Sequence, residues 1–222
     1  MFDRLINLIG ENNFKLIKNK KVLLVGVGGV GGFTLEALIR SGIHNITIYD
    51  DDAIELSNLN RQIISSLNNI GNKKIDEAIK RAKSINNEIN IFGYTEKISE
   101  KNIEDIGKFD YIIDACDDLK AKVLLIKYAL KNNIKIICAL GTGKRITSDN
   151  IVIKKLKDTK NDPLARNLRK YISKEGLSMN IPVIYSEDLP MNNDKVISSS
   201  IFTPAIVGIK LANYVINDII QQ

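Results

Sequence analysis

Tryptophan is absent from the 222 residues, histidine occurs once, cysteine twice, methionine three times and proline four times. Each scarcity removes a class of chemistry. Cys116 and Cys138 cannot build a disulfide framework, nor supply the four thiolates of a paired C-x-x-C zinc site. Both lie in apolar runs, "IIDACDD" and "IKIICAL", without a neighbouring histidine, so packing is their expected role. The only histidine, His44, falls in the short turn "SGIHN" and reads as a loop residue rather than a general base. Unbroken apolar stretches are also missing. The most apolar late segment, "SSSIFTPAIVGIKLANYVINDII", is interrupted by Pro204, Lys210, Asn213 and Asp218. A bilayer-spanning helix needs about 20 nearly continuous apolar residues, so a buried core helix and no membrane span are expected. The opening stretch "MFDRLINLIGENNFKLIKNKK" lacks the apolar core and small-residue cleavage site of a secretory leader, and a cytoplasmic location is expected.

What is present suits an ordinary globular domain. Hydrophobic residues make up 44% and charged residues 26% of the chain, whose length allows one sizeable core. Lysine and arginine exceed aspartate and glutamate by 32 − 26 = 6. That excess suits a polyanion such as RNA, or simply a solvated surface, and charge alone leaves both readings open.

Short apolar runs alternate with amphipathic stretches of helical length. Strands are expected at "KVLLVG", "NITIYD", "NIFGYT", "FDYIIDA" and "IKIICAL", with helices near Gly29–Ser41, Lys73–Asn86, Ile103–Ile106 and Asp117–Asn132. Strands apolar along their whole length, separated by helices, indicate an α/β fold: a Rossmann-like, mostly parallel sheet with helices on both faces. After Gly143 the texture changes. Lys154, Lys155, Lys157, Lys160, Arg166, Arg169, Lys170 and Lys174 stand against few acids, and "NDPLARNLRKYI" reads as a helix capped by Asp162 with Pro163 in its first turn. The expectation is a single unit over 1–222: a nucleotide-binding core (1–142), a small basic lobe built onto the sheet (143–195) and a C-terminal buried helix (196–222). The basic lobe is the candidate RNA-binding face. Tyr171 and Tyr185 could stack on a base there, although half-buried packing suits them better.

Gly26, Gly28 and Gly31 fit G-x-G-x-x-G, with Gly29 among them, directly after an apolar strand and at a helix start. A Cβ at such positions would obstruct the turn and the approach of phosphate to backbone amides. Asp50 closes the next strand at the distance where a carboxylate meets ribose hydroxyls. This constellation signals a nucleotide without separating a dinucleotide from ATP. The following segment separates them. "SNLNRQ" carries Asn58, Arg61 and Gln62, and Lys74 begins the next helix in a G-x-x-K pattern. An NAD dehydrogenase has no requirement for that arginine and lysine. Cleavage between the α- and β-phosphates does require fixed cations to match the charge of the leaving pyrophosphate.

The set "GVGGVGG", Asp50, Asp52, "SNLNRQ", Lys74 and "DACDD" resembles the ubiquitin-activating-type (ThiF/MoeB/HesA) adenylyltransferases. Further signatures resemble the branch of tRNA threonylcarbamoyladenosine dehydratases: "R-x-x-x-x-I-G-E" from Arg4 to Glu11, "DPLARNLRKYI", "VIYSEDLP" and "SSSIFTPAIVG", with the zinc cysteines missing. The resemblance implies ATP-dependent cyclisation of the threonylcarbamoyl group on the adenosine beside the anticodon. The threonyl carboxylate would attack the α-phosphorus and release pyrophosphate; the carbamoyl group would then close onto the activated carbonyl and expel AMP. A tethered attacking group has high effective molarity, so no enzymic nucleophile is needed.

Carried over by position, Gly26, Gly28, Gly29 and Gly31 match the phosphate loop and Asp50 the ribose ligand. Asp52 is offset like a supporting acid, whereas Asp51 reads as solvated. Asn58, Arg61 and Lys74 match triphosphate contacts, with Gln62 beside them, and Asp117 matches the acid holding Mg²⁺, with Asp118 as the competing candidate. Arg61, Lys74 and Asp117 form the catalytic set. Lys120 stands where relatives often carry arginine. Arg4 resembles an arginine that reaches into a neighbouring subunit's triphosphate site, which implies a homodimer; a sulfur-relay protein is the other partner raised, besides the tRNA. Three other functions compete: adenylation of a sulfur-carrier protein's terminal glycine, NAD-dependent oxidoreduction, and RNA binding without catalysis.

Overall fold

The computed structural model describes residues 1–192 and 198–221. Its seven strands are β1 (Lys21–Val25), β2 (Asn45–Tyr49), β3 (Asn90–Tyr94), β4 (Tyr111–Asp114), β5 (Lys135–Ala139), β6 (Ile151–Lys155) and β7 (Pro182–Ser186). They form one sheet in the order β3-β2-β1-β4-β5-β7-β6. All neighbours are parallel except the last pair, where β6 runs antiparallel to β7. The five expected strands are present, and the mostly parallel α/β architecture stands.

The helices are α1 (Asp3–Ile9), α2 (Glu11–Asn19), α3 (Gly31–Arg40), α4 (Lys74–Ile85), α5 (Leu119–Lys131), α6 (Pro163–Lys174) and α7 (Phe202–Ile220). Both faces of the sheet are covered, which is why the central strands contain no polar alternation. Val22 and Leu24 of β1 pack with Leu35 and Leu38 of α3, Ala78 of α4 and Leu211 and Val215 of α7. Leu23 and Val25 face the other way, toward Leu125 of α5 and Leu168 and Ile172 of α6. The late apolar segment is thus the buried helix α7, and among the described residues no helix is long and apolar enough to cross a membrane.

Two boundaries differ from expectation in an informative way. The expected helix at Ile103–Ile106 is a single 3-10 turn, Ile103–Asp105, because Gly107 follows with φ of +90°. The helix expected from Gly29 begins at Gly31, which leaves residues 26–30 as an open loop ahead of α3. Residues 151–155 and 182–186 continue the sheet beyond β5, with α6 between them covering one face. Asp162 caps α6 by accepting the Ala165 N–H at 2.7 Å, and Pro163 occupies the first turn.

The strand order changes direction between β1 and β4: the chain builds outward through β2 and β3 on one side, then through β4 and β5 on the other. In open parallel sheets the crevice above the carboxyl ends of strands at that switch receives ligands.

Candidate nucleotide-binding site

A cavity of about 1060 Å³ opens above the ends of β1, β2, β4 and β5. Its floor is the glycine loop. Gly26 donates its N–H to Tyr49 O at 2.7 Å and adopts φ of +88°. A Cβ built at Gly31 would lie 1.8 Å from Gly26 O, so the loop closes only with glycine there. No side chain caps α3. The Gly32 and Thr34 amides bond Gly28 O at 2.9 Å and Val30 O at 3.0 Å, which leaves the loop amides ahead of them for an anion in the cavity, with the helix dipole adding attraction.

Asp50, at the end of β2, ties this loop to the next segment. Its Oδ2 accepts the Val27 N–H at 2.8 Å and its Oδ1 the Asp52 N–H at 3.0 Å. Burial raises the Asp50 carboxyl above the usual aspartate value, against the lowering effects of Lys74 and the two amides. Lys74 is 5% exposed, and its ammonium lies 2.7 Å from Asp52 Oδ2 and 4.0 Å from Asp50 Oδ1. Two carboxylates thus hold the lysine at the cavity wall. Asp51 turns aside to Lys97 at 3.5 Å. Oxygens of Asp50, Asp51 and Asp52 come within 4.8 Å of one another, but these lysines already pair with them.

The segment after β2 presents the remaining polar groups. Asn58 is buried, its Oδ1 accepting the Glu55 N–H, which locks a 3-10 turn at Leu56–Asn58. Arg61 lies across Gly29, and its Nη1 donates to Ser57 O at 2.7 Å and Asn60 Oδ1 at 3.0 Å. Its Nε and Nη2 have no acceptor among the described residues. Gln62 is buried with its amide near Gly28, and its Oε1 has no partner among the described residues. At the end of β4, Asp117 lines the cavity and its carboxylate accepts no hydrogen bond among the described residues. Asp118 instead caps α5, its Oδ1 accepting from the amides of Lys120 and Ala121.

The fold therefore brings Gly26, Gly28, Gly29, Asp50, Asp52, Asn58, Arg61, Gln62, Lys74 and Asp117 around one cavity, with Gly31 directly beneath. Arg4 is not among the lining residues and sits exposed on α1, which buries none of its residues. Lys120 is exposed. Cys116 donates to Asp114 Oδ1 at 3.1 Å; burial, then the Asp114 charge, pushes its thiol far up, which leaves no thiolate to attack. Cys138 is fully buried and shifted the same way, first by burial. His44 lies in the turn between α3 and β2, outside the cavity lining. Tyr185 is core, its hydroxyl donating to Glu187 and accepting from the Lys160 amide, whereas Tyr171 is exposed on α6.

Three features in the cavity wall or beneath it escape sequence inspection. Lys122 and Asp114, both wholly buried, form an ion pair at 2.9 Å under the β4 end. Arg145 and Asp162 line the wall beyond β5. A lysine interrupting the apolar face of α5 and an aspartate inside an apolar strand were the available signals for the first; for the others the signal appears only once the strands are ordered.

The sequence model of the ThiF family matches residues 2–153. A tRNA threonylcarbamoyladenosine dehydratase of Bacillus subtilis (strain 168) is 32% identical over 236 residues, spanning 96% of this chain and 92% of that protein. The Escherichia coli (strain K12) protein of that name is 33% identical over 171 residues, 76% of this chain and 63% of its own length. The crystal structure of E. coli tRNA N6-threonylcarbamoyladenosine dehydratase, TcdA, in complex with ATP matches with a TM-score of 0.93 at 26% identity, covering 99% of this chain and 93% of that one. A complex of the same enzyme with AMP matches at 0.92.

Proposed function

The chain belongs to the ThiF family, and on that premise we propose that it is an ATP-dependent tRNA threonylcarbamoyladenosine dehydratase. Its substrates are ATP and a tRNA carrying threonylcarbamoyladenosine next to the anticodon. The observation that carries the reading is the convergence of Arg61, Lys74 and the glycine loop on one cavity of about 1060 Å³. A dinucleotide held for hydride transfer has no need of those cations.

Each residue then has a task. The amides of the glycine loop hold the phosphates, and Asp50 holds the ribose. Asn58 and Gln62 add polar contacts beside them. The threonyl carboxylate attacks the α-phosphorus, and pyrophosphate leaves against Arg61 and Lys74, whose fixed charges match the growing negative charge without reorganisation. The carbamoyl group then closes onto the acyl-adenylate carbonyl and expels AMP, the cavity contributing orientation. Asp52 keeps Lys74 in place.

Asp117 fits Mg²⁺ by the chemistry of its donor: a carboxylate without a partner among the described residues, lining the cavity that the glycine loop also lines. Such an ion takes one or two carboxylates together with phosphate oxygens; when bound, it neutralises charge on the phosphates. Asp118, occupied by its capping role, is the lesser candidate. Arg4 belongs to this reading as a residue given to a second subunit's site, which suits the unburied surface of α1, where Leu8 is 81% exposed. A homodimer, docking of a sulfur-relay protein and a cytoplasmic location complete the proposal, and sedimentation velocity checks the first.

The alternative, adenylation of a sulfur-carrier protein, shares the whole ATP site. Incubating the purified protein with ATP and either modified tRNA or carrier protein separates them. The proposal expects AMP and the cyclic nucleoside with tRNA; AMP formed only with the carrier contradicts it.

A further inference from the structure

Three buried side-chain atoms among the described residues lack any hydrogen-bond partner: Gln62 Oε1, Arg145 Nη2 and Asp162 Oδ2. All three residues line the same cavity. Buried polar atoms are almost always paired, so three orphans in one place mark where a ligand completes the bonding. Gln62 lies against Gly28 in the glycine loop, and the nucleotide accounts for it. The other two stand beside Gly141, just after β5, and need a different occupant.

Both are held firmly by all their atoms but one. Arg145 is 5% exposed; its Nε donates to Asp188 O at 2.8 Å, and its Nη1 to Gly143 O at 3.1 Å and Gly141 O at 3.4 Å. Only Nη2 is left. Asp162 is equally buried; its Oδ1 caps α6, and only Oδ2 is left. Gly141 lies between them. A Cβ there would stand 2.6 Å from Asp162 Oδ2, so only glycine lets the chain pass this close to the carboxylate.

We infer that Arg145 and Asp162 form the acyl-substrate subsite: Arg145 Nη2 donates to the carboxylate, and Asp162 Oδ2 accepts from a hydroxyl or N–H beside it. The inference rests on the dehydratase reading and names what that reading leaves open. The class of ligand follows from the pairing, one charged donor and one charged acceptor, each left with an unfilled bond. A triphosphate offers acceptors alone and matches only half of it. Position agrees, since the subsite lies by β5 while Asp50 lies at the end of β2, three strand spacings away, or roughly 14 Å. A nucleotide anchored at Asp50 and reaching the glycine-loop amides leaves the β5 wall to the second substrate. The threonylcarbamoyl group carries both a carboxylate and adjacent donors.

Asp162→Asn is the cleanest probe, because asparagine retains an oxygen for the cap and replaces Oδ2 with an NH2 group. With threonylcarbamoyl-tRNA, KM should rise about 10- to 100-fold, the range of a lost charged hydrogen bond. The dissociation constant for ATP, by calorimetry, and the melting temperature should stay unchanged. Arg145→Lys, which keeps the charge but loses the fork, should raise the same KM. A tRNA carrying glycylcarbamoyladenosine, which lacks the hydroxyl, identifies the donor. If the wild type discriminates against it and Asp162→Asn does not, Asp162 takes the hydroxyl; equal slowing of both substrates assigns the N–H. Unchanged tRNA KM in both variants, or weakened ATP binding with unchanged tRNA KM, overturns the subsite. The wild type serves as the control: its failure to cyclise the tRNA removes the dehydratase reading and the subsite with it, whereas normal cyclisation by unimpaired variants removes the subsite alone.

Discussion

Replacing Lys122 by methionine tests how the floor of the cavity is held in place. Lys122 and Asp114 are each 0% exposed and 2.9 Å apart, and the ammonium also donates to Ala139 O at 2.8 Å. Asp114 in turn accepts the amide and thiol of Cys116. The pair therefore joins α5, β4 and β5 directly beneath Ala115, whose backbone abuts Gly26. Methionine fills the volume but leaves a buried carboxylate without its counter-ion. Such a change costs about 3–5 kcal/mol, a large share of the roughly 5–15 kcal/mol that keeps a domain folded. At about 2–4 °C per kcal/mol for a chain of this size, the melting temperature should fall by roughly 6–20 °C. Urea denaturation gives the free energy directly. Asp114→Leu combined with Lys122→Met should recover about half of the loss, since the charges go together but Cys116 loses its acceptor. Burial opposes the Lys122 ammonium, yet Asp114 outweighs it and raises its pKa above that of an ordinary lysine. The ammonium's contribution is then fully present below the unfolded lysine value of about 10.4 and is lost only at higher pH, so the lysine term is flat across neutral pH. A cost below about 1 kcal/mol for Lys122→Met, the median worth of an exposed pair, would refute the reasoning.

Arg61→Ala and Lys74→Ala should each lower turnover about 100-fold or more with folding intact, measured as AMP release, because each removes charge stabilisation of the transition state. Gly31→Ala should weaken ATP binding about 10- to 100-fold in calorimetry, the equivalent of 1–3 kcal/mol of overpacking, as its Cβ cannot stand 1.8 Å from Gly26 O. ATP affinity should fall on acidification at a pH above the ordinary aspartate value of 3.8, because burial raises the Asp50 carboxyl and a protonated Asp50 accepts ribose hydroxyls poorly. Since the folded state takes up that proton more readily than the unfolded chain, this group does not drive acid unfolding, and Asp50→Asn should flatten the dependence. Cys116→Ser should leave turnover within about twofold of the wild type, a larger loss being evidence for a thiol step.

The central strands were legible because both of their faces are buried, which makes each a continuous apolar run. Strand β6 was not. Its lysines at 154 and 155 sit in an edge strand, where one side meets solvent, and charge there reads as a surface stretch rather than a sheet. Strand β7 opens on Pro182 and pairs through Val183 and Ile184 with β5, a long-range contact that no local pattern announces. The gathering of Gly26 to Gly31, Asp50, Arg61 and Lys74 at one cavity was legible for a local reason: all belong to the first crossovers, where spacing along the chain fixes spacing in space. Arg145 and Asp162 follow different strands and reach one cavity only when β7 inserts between β5 and β6. Asp162 was readable as a helix cap, but its second oxygen became informative only once Gly141 was seen to face it.

The central claim is that the substrate carboxylate attacks the α-phosphorus of ATP. It is tested most directly by threonylcarbamoyl-tRNA labelled with ¹⁸O in that carboxylate. The bridging oxygen of the acyl-adenylate departs with AMP when the ring closes, so mass spectrometry should find a single ¹⁸O in the released AMP alongside unlabelled pyrophosphate. Label in inorganic phosphate, with ADP as the nucleotide product, would contradict the account.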